Sequence, residues 1–215
     1  MRLFVALLPP QDVLDELEAF VAPLRGIVPE LRWTRRELLH VTLAFFGDVD
    51  DRTVEKLLPR LERAAARHDR LSLSLAGGGA FPDGGAHARV LWTGLYGDRR
   101  DLATLASSAA AAGRRAGTTP DRHSTFRPHL TLARSRNPVD VRPLLEPMSS
   151  FAGRPWTAET VHLVQSRLPA KGRTLVEYEP LESWPLRAPR PGSGDSEPAD
   201  AEPGEPEPRA SESGG

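Results

Sequence analysis

Two short segments of this 215-residue chain share a pattern that chemistry can use: His40-Val-Thr-Leu-Ala44 and His129-Leu-Thr-Leu-Ala133. Six histidines make fifteen pairs, and a chance Thr-Leu-Ala match at the same offsets has odds of roughly one in a few hundred at average residue usage. The pattern is therefore read as a repeat, one copy in each half of the chain, which points to a duplicated unit. On a strand, residues two apart point to the same face. His40 and Thr42 then share one face, and His129 and Thr131 share another, while Val41, Leu43, Leu130 and Leu132 point into the core. If the two strands lie side by side, two imidazoles and two hydroxyls converge in one cleft.

That set suits phosphodiester chemistry. Opening a cyclic phosphate with water needs a base for the water's proton and an acid for the departing oxygen. Histidine, with an ordinary pKa near ~6.5, holds either role at neutral pH. One neutral and one protonated imidazole supply both, each worth roughly 10²–10⁴-fold. The threonine hydroxyls can donate hydrogen bonds to the non-bridging oxygens as charge builds there. Arg134, further along the second strand and expected on the face of Thr131, adds a fixed positive charge and a planar fork for phosphate.

Other residues carry weaker signals. Strict alternation from His40 sends Phe45 into the core and leaves Phe46 on the catalytic face, free to stack on a base; a bulge would swap them. Arg127, two before His129, is expected at the rim, with Pro128 between them. His68, at a helix end, is expected to be solvated. His87 and His123, in polar loops, more often prove structural than functional. His162 faces away from Val161 and Leu163 and can reach the cleft. Trp33 and Trp92 are expected in the core or at its rim. No histidine or carboxylate spacing fits a metal, the absence of cysteine removes thiolate chemistry, and no cofactor is expected.

These residues need a scaffold. Arg2–Leu8 reads as a buried strand stopped by Pro9-Pro10, and a helix follows over about 12–25. A short piece lies at 31–34 and a strand at 40–46. A helix follows from 51 to about 66, opened by Asp51-Arg52-Thr53. The alternation Leu71-Ser-Leu-Ser-Leu75 is a half-buried strand, whereas Ala76-Gly-Gly-Gly and Pro82-Asp-Gly-Gly signal loops. Strands are expected at 89–95, 129–134, 160–167 and 175–182, the last two joined by a hairpin loop at Pro169–Arg173. Helices are expected at 101–116 and 139–148. Strands outnumber helices, so the fold class is α+β: a bilobal duplicated unit, with largely antiparallel sheets lining a central cleft and helices outside.

From Arg187 onward no aliphatic or aromatic residue exceeds alanine in size, and Pro, Gly, Ser and acids dominate. Such a stretch buries too little to offset its ordering entropy. The expectation is one domain over residues 1–186 and a disordered acidic tail over 187–215. The tail's seven acids and three arginines leave the body 25 basic and 22 acidic residues of the chain's 28 and 29, about +3 against −1 for the whole. A slightly basic body is compatible with a phosphate-bearing substrate without demanding one. The apolar N-terminal run is too short to span a membrane, and the absence of cysteine fits a reducing cytoplasm, the expected location; a monomer is expected.

The paired motifs resemble those of the RNA 2′,3′-cyclic phosphodiesterases, or 2′-5′ RNA ligase-like proteins, of the two-histidine phosphoesterase superfamily. Supporting blocks are Arg2-Leu-Phe-Val-Ala-Leu, Leu39-His-Val-Thr-Leu-Ala-Phe-Phe-Gly, Phe126-Arg-Pro-His-Leu-Thr-Leu-Ala-Arg, and Ser166 with Gly172-Arg and Tyr178-Glu-Pro-Leu. The resemblance runs from about Met1 to Trp184. It implies a bilobal fold with a metal-free central cleft, acting on RNA ends or small cyclic nucleotides and leaving a 2′-phosphate. It also implies that His40 is the proton donor and His129 the proton acceptor, which the residues alone do not distinguish. Related 2′-5′ phosphodiesterase or ligase activity uses the same pair. A non-catalytic RNA-end binder is the reading from another class, and the intact motif in both halves argues against it.

Overall fold

The computed structural model describes residues 1–118, 126–167 and 176–188. Strand β1 (Arg2–Leu7) leads into helix α1 (Gln11–Val21), which starts directly after Pro9-Pro10 and buries Val13, Leu14, Leu17 and Val21. A two-residue strand β2 (Arg32–Trp33) precedes β3 (Val41–Asp48). Helix α2 (Asp51–Ala65) is capped by Asp50, whose carboxylate accepts from the Thr53 backbone N–H at 2.7 Å, one residue before the expected start. Then follow β4 (Leu71–Phe81), β5 (Ala88–Gly97), α3 (Arg99–Ala116), β6 (His129–Val139), α4 (Arg142–Ser149), β7 (Trp156–Ala158), β8 (Thr160–Arg167) and β9 (Glu177–Pro185). No described helix is long and apolar enough to cross a membrane.

Every pairing between these strands is antiparallel, and they run in the order β7-β4-β5-β6-β3-β1-β8-β9, with β2 added to β6. The two motif strands, β3 and β6, are therefore neighbours at the centre of one continuous sheet. The middle of the chain (β4 to β7) builds the β6 side, and both ends (β1, β3, β8, β9) build the β3 side. The duplication is thus not a tandem of two self-contained halves.

One face of the sheet carries the core. Leu3, Val5, Leu7, Val41, Leu91, Leu130 and Leu163 join the apolar faces of the four helices in a single buried cluster. Each fully buried leucine there contributes roughly 1.5–3 kcal/mol. The Gly77-Gly78-Gly79 run, expected as a loop, lies inside β4. One backbone conformation and two contacts explain its composition. Gly77 takes φ +63° at the irregularity of the β4–β5 register, a conformation that favours glycine. A Cβ on Gly78 would lie 2.6 Å from Met148 of α4, and one on Gly79 would lie 2.1 Å from the Trp92 ring.

The body extends slightly past its expected limit. Leu186 is buried, and Arg187 bridges to Asp69 and exchanges backbone hydrogen bonds with His68 and Arg70. Residues 189–215 of the expected tail and the Pro169–Arg173 loop lie outside the described residues.

Candidate active site

The repeated Leu-Ala of the two motifs marks a bulge. In β3, Thr42 pairs with Ala6 and Ala44 with Val5, so Leu43 is the extra residue. In β6, Thr131 pairs with Trp92 and Ala133 with Leu91, so Leu132 is the extra residue, three past the histidine in both copies. A bulge leaves two consecutive residues facing one way. Leu43 with Ala44, and Leu132 with Ala133, are all buried, and the next residue returns to the open face. Phe45 is exposed and held under the Arg2 guanidinium, 5.0 Å from its ring centre. Phe46 is buried against α3, where a Cβ on Gly113 would lie 2.5 Å from its ring, so it cannot stack on a base. That corrects the expectation from strict alternation. Arg134 is three residues past Thr131, a count that alone would send it to the core; the bulge keeps it on the open face, exposed.

The two histidines are held alike. His40 Nδ1 lies 2.7 Å from the Leu38 carbonyl oxygen, and His129 Nδ1 lies 2.7 Å from that of Arg127. A carbonyl only accepts, so each Nδ1 carries its proton and each Nε2 is left for chemistry. Aromatic rings fix the imidazoles. His40 packs against Phe4 (centroids 4.8 Å apart) and the edge-on Tyr178 (5.2 Å), which also touch each other. His129 packs against the edge-on Phe81 (5.0 Å) and Trp92 (6.0 Å), which also touch each other.

Burial pushes both imidazole pKa values below the usual 6.5, and in both cases the backbone hydrogen bond from Nδ1 opposes it. The Arg134 cation lowers both further; His129 adds to the effect on His40, and Arg127 to that on His129. Arg134 thus acts electrostatically on both catalytic candidates at once.

Beside His129 opens a cleft of about 280 Å³, floored by Gly77, Gly78 and Gly94 and walled by Phe81, Trp92, Tyr96 and Arg127. Arg127 is tied to the Asp83 carboxylate at 2.9 and 3.0 Å and lies over the rings of Phe81 and Trp92. The arrangement offers an acid–base pair, hydroxyls, two guanidiniums and flat aromatic faces on one side of the sheet.

A family model for the 2′-5′ RNA ligase superfamily matches residues 13–169. The chain belongs to the 2′-5′ RNA ligase superfamily. It is 30% identical over 183 residues to an RNA 2′,3′-cyclic phosphodiesterase of Archaeoglobus fulgidus, covering 85% of this chain and all of that one. It is 31% identical over 195 residues to one of Thermus thermophilus, covering 87% of this chain and 91% of that one. Among solved structures, E. coli LigT complexed with 3′-AMP superposes with a TM-score of 0.67 at 25% identity, over 86% of this chain and 97% of that one.

Among the described residues, the other histidines of this superfamily member do not join the pair. His68 is half-buried, its Nε2 2.9 Å from the Ser108 hydroxyl, rather than solvated as its place at a helix end suggested. His162 shares the open side of β8, in the cross-strand row Thr42–Ala6–His162–Ser183, with Nδ1 2.8 Å from the Ser183 hydroxyl. His87 lies near enough to Asp140 to lower its pKa, and His123 falls outside the described residues. Trp33 packs at the edge of the core. Among the described residues no group of three or more histidines and carboxylates is placed to hold a metal ion. Sequence reading missed Phe4, Tyr178 and Phe81 as imidazole supports. Phe4 and Tyr178 lie in blocks the sequence did single out, but only the register shows which strand lies beside which.

Proposed function

We propose that this superfamily member hydrolyses RNA 2′,3′-cyclic phosphodiester ends to 2′-phosphomonoesters, with His40 and His129 as its acid–base pair. One observation carries the reading: two imidazoles, His40 immediately before β3 and His129 at the start of the neighbouring β6, are each anchored through Nδ1 by a 2.7 Å bond, leaving both Nε2 atoms available. The names of the relatives from Archaeoglobus fulgidus and Thermus thermophilus support the same reaction.

In this reading the neutral His129 Nε2 takes a proton from water as the water oxygen bonds to phosphorus. The P–O3′ bond breaks, and the protonated His40 Nε2–H gives its proton to O3′. The products are a 2′-phosphomonoester and a free 3′-hydroxyl, with the protonation of the pair exchanged, to be reset through solvent. The assignment of donor and acceptor follows the family resemblance. Thr42 and Thr131 donate to the non-bridging oxygens, and Arg134 counters their charge. Arg127 and Phe45 sit at the rim, and the cleft beside His129 takes the nucleoside. No cofactor enters, and one chain carries the whole site. With a sugar hydroxyl replacing water, the same groups run the reaction toward a 2′-5′ linkage, the reaction named in the superfamily's description.

The test is incubation with an adenylyl dinucleotide ending in a 2′,3′-cyclic phosphate, with the product isomer read by phosphorus NMR. A 2′-phosphate is expected. A 3′-phosphate, or no turnover, contradicts the proposal.

A further inference from the structure

The helix layer carries positive charge that the catalytic reading leaves unused. Arg60 and Arg63 lie on one face of α2, Arg67 follows in the turn just past its end, and Arg115 faces them from α3; with Ser108 and Ala112 they line a cleft of about 270 Å³. Among the described residues none of these four guanidiniums has a carboxylate partner, and Arg60 instead donates to the Lys56 carbonyl at 2.6 Å. Other arginines, such as Arg25, Arg127 and Arg187, are each held by an acid. Four like charges around one cleft repel, and an anion seated among them relieves that repulsion.

The described chain ends beside this cleft. The Arg187 N–H donates to the His68 carbonyl at 2.8 Å, and the Arg70 N–H donates to the Arg187 carbonyl at 3.0 Å. His68 in turn contacts Ser108, which lines the cleft, and Arg67 is its chain neighbour. Beyond Ala188, residues 189–215 carry seven acids against two arginines. The first acid, Asp195, is seven residues past Ala188, within a reach of at most about 25 Å. Tethering of this kind places the carboxylates near the arginines at an effective concentration on the order of millimolar.

We propose that the cleft of Arg60, Arg63, Arg67 and Arg115 holds the chain's own acidic C-terminal segment, around Asp195–Glu207, through carboxylate–guanidinium pairs. Docking of this kind needs no apolar anchor, which the segment lacks, and it weakens with salt. Because α2 and α3 pack on the face of the sheet opposite the histidines, the docked segment leaves the catalytic cleft open. It also covers a cationic site that would otherwise draw RNA to the wrong side of the protein.

The chain has no cysteine, so Ser196→Cys in the full chain takes a single nitroxide label. At low salt the amides around Arg63, Arg67 and Arg115 should lose more than half their NMR intensity. The loss should reverse at about 0.5 M salt. It should also vanish in the Arg63→Gln/Arg67→Gln/Arg115→Gln variant, with turnover of the dinucleotide unchanged. Broadening spread evenly, centred on the histidine face, or indifferent to the arginine substitutions overturns the proposal. A 12-nucleotide oligodeoxythymidylate provides the second arm. If it shifts the cleft amides only as it relieves the broadening, it is displacing the segment, as proposed. If it shifts them while the label's pattern is unchanged, the cleft is a nucleic-acid site and the proposal fails.

Discussion

Val41 and Leu130 face each other across the seam between the two central strands. In an antiparallel pair the register runs in opposite senses from that point. Extended by one step each way, that register would set His40 opposite Thr131 and Thr42 opposite His129. In the proposed mechanism the two motifs act as one site because their strands pair here.

Thr42→Val and Thr131→Val should therefore each lower kcat on the dinucleotide cyclic phosphate by about tenfold or more, the scale set by losing a preorganised donor to a developing oxyanion. Valine keeps the strand preference and shape, so thermal unfolding should barely move. A kcat within twofold of the parent for both variants would mean that the hydroxyls do not touch the phosphate.

The pH dependence follows from the lowered pKa values of both histidines. The proposed mechanism needs one imidazole neutral and one protonated, and burial pushes both pKa values below 6.5 in the free protein. The profile of kcat/KM should be a bell centred below pH 6.5. A bound phosphate favours imidazolium, so the kcat profile should lie at higher pH. Stability has a matching sign. Unfolded histidines bind protons near 6.5 and the folded ones only at lower pH, so stability is complete above about 6.5 and is lost as pH falls through the lowered folded values. Unfolding temperatures across pH 4–8 check this. A rate climbing steadily to pH 10 contradicts the paired mechanism.

Arg134 lowers the pKa of both histidines, and in the proposed mechanism its guanidinium also binds the phosphate. Arg134→Ala should raise KM, and the kcat/KM bell should move to higher pH. Arg134→Lys keeps the charge without the fork, so it should restore the position of the bell but only part of the affinity. An unchanged KM and profile in the alanine variant would remove Arg134 from the site.

The motif residues and their faces are legible in the sequence because a period of two, anchored by two copies of one pattern, fixes which side chains share a surface. His40, Thr42, His129 and Thr131 needed nothing more. Phe46 and Arg134 were harder, since one extra residue at Leu43 or Leu132 inverts every later position, and alternation cannot count a bulge in advance. The Gly77–Gly79 run misled for a different reason. Glycine signals a turn on local grounds, and here it answers the Trp92 and Met148 side chains, which only tertiary packing brings near. The central pairing of β3 with β6 likewise rests on non-local contacts that no local pattern encodes.

Gly79 tests that point. A methyl group there would meet the Trp92 ring, which contacts His129. Gly79→Ala should cost roughly 1–3 kcal/mol in a urea titration, as overpacking does, and should also raise KM by displacing the indole. Native stability and KM together would show that the ring is not seated over Gly79 in solution.

The most direct test of the acid–base pair is turnover of the dinucleotide 2′,3′-cyclic phosphate by His40→Ala, His129→Ala and the double variant, with circular dichroism confirming the fold. Each single variant should fall by at least ~10², and the double should be scarcely worse than the poorer single, because the two groups act as a unit. Near-native turnover in either single variant would contradict the account.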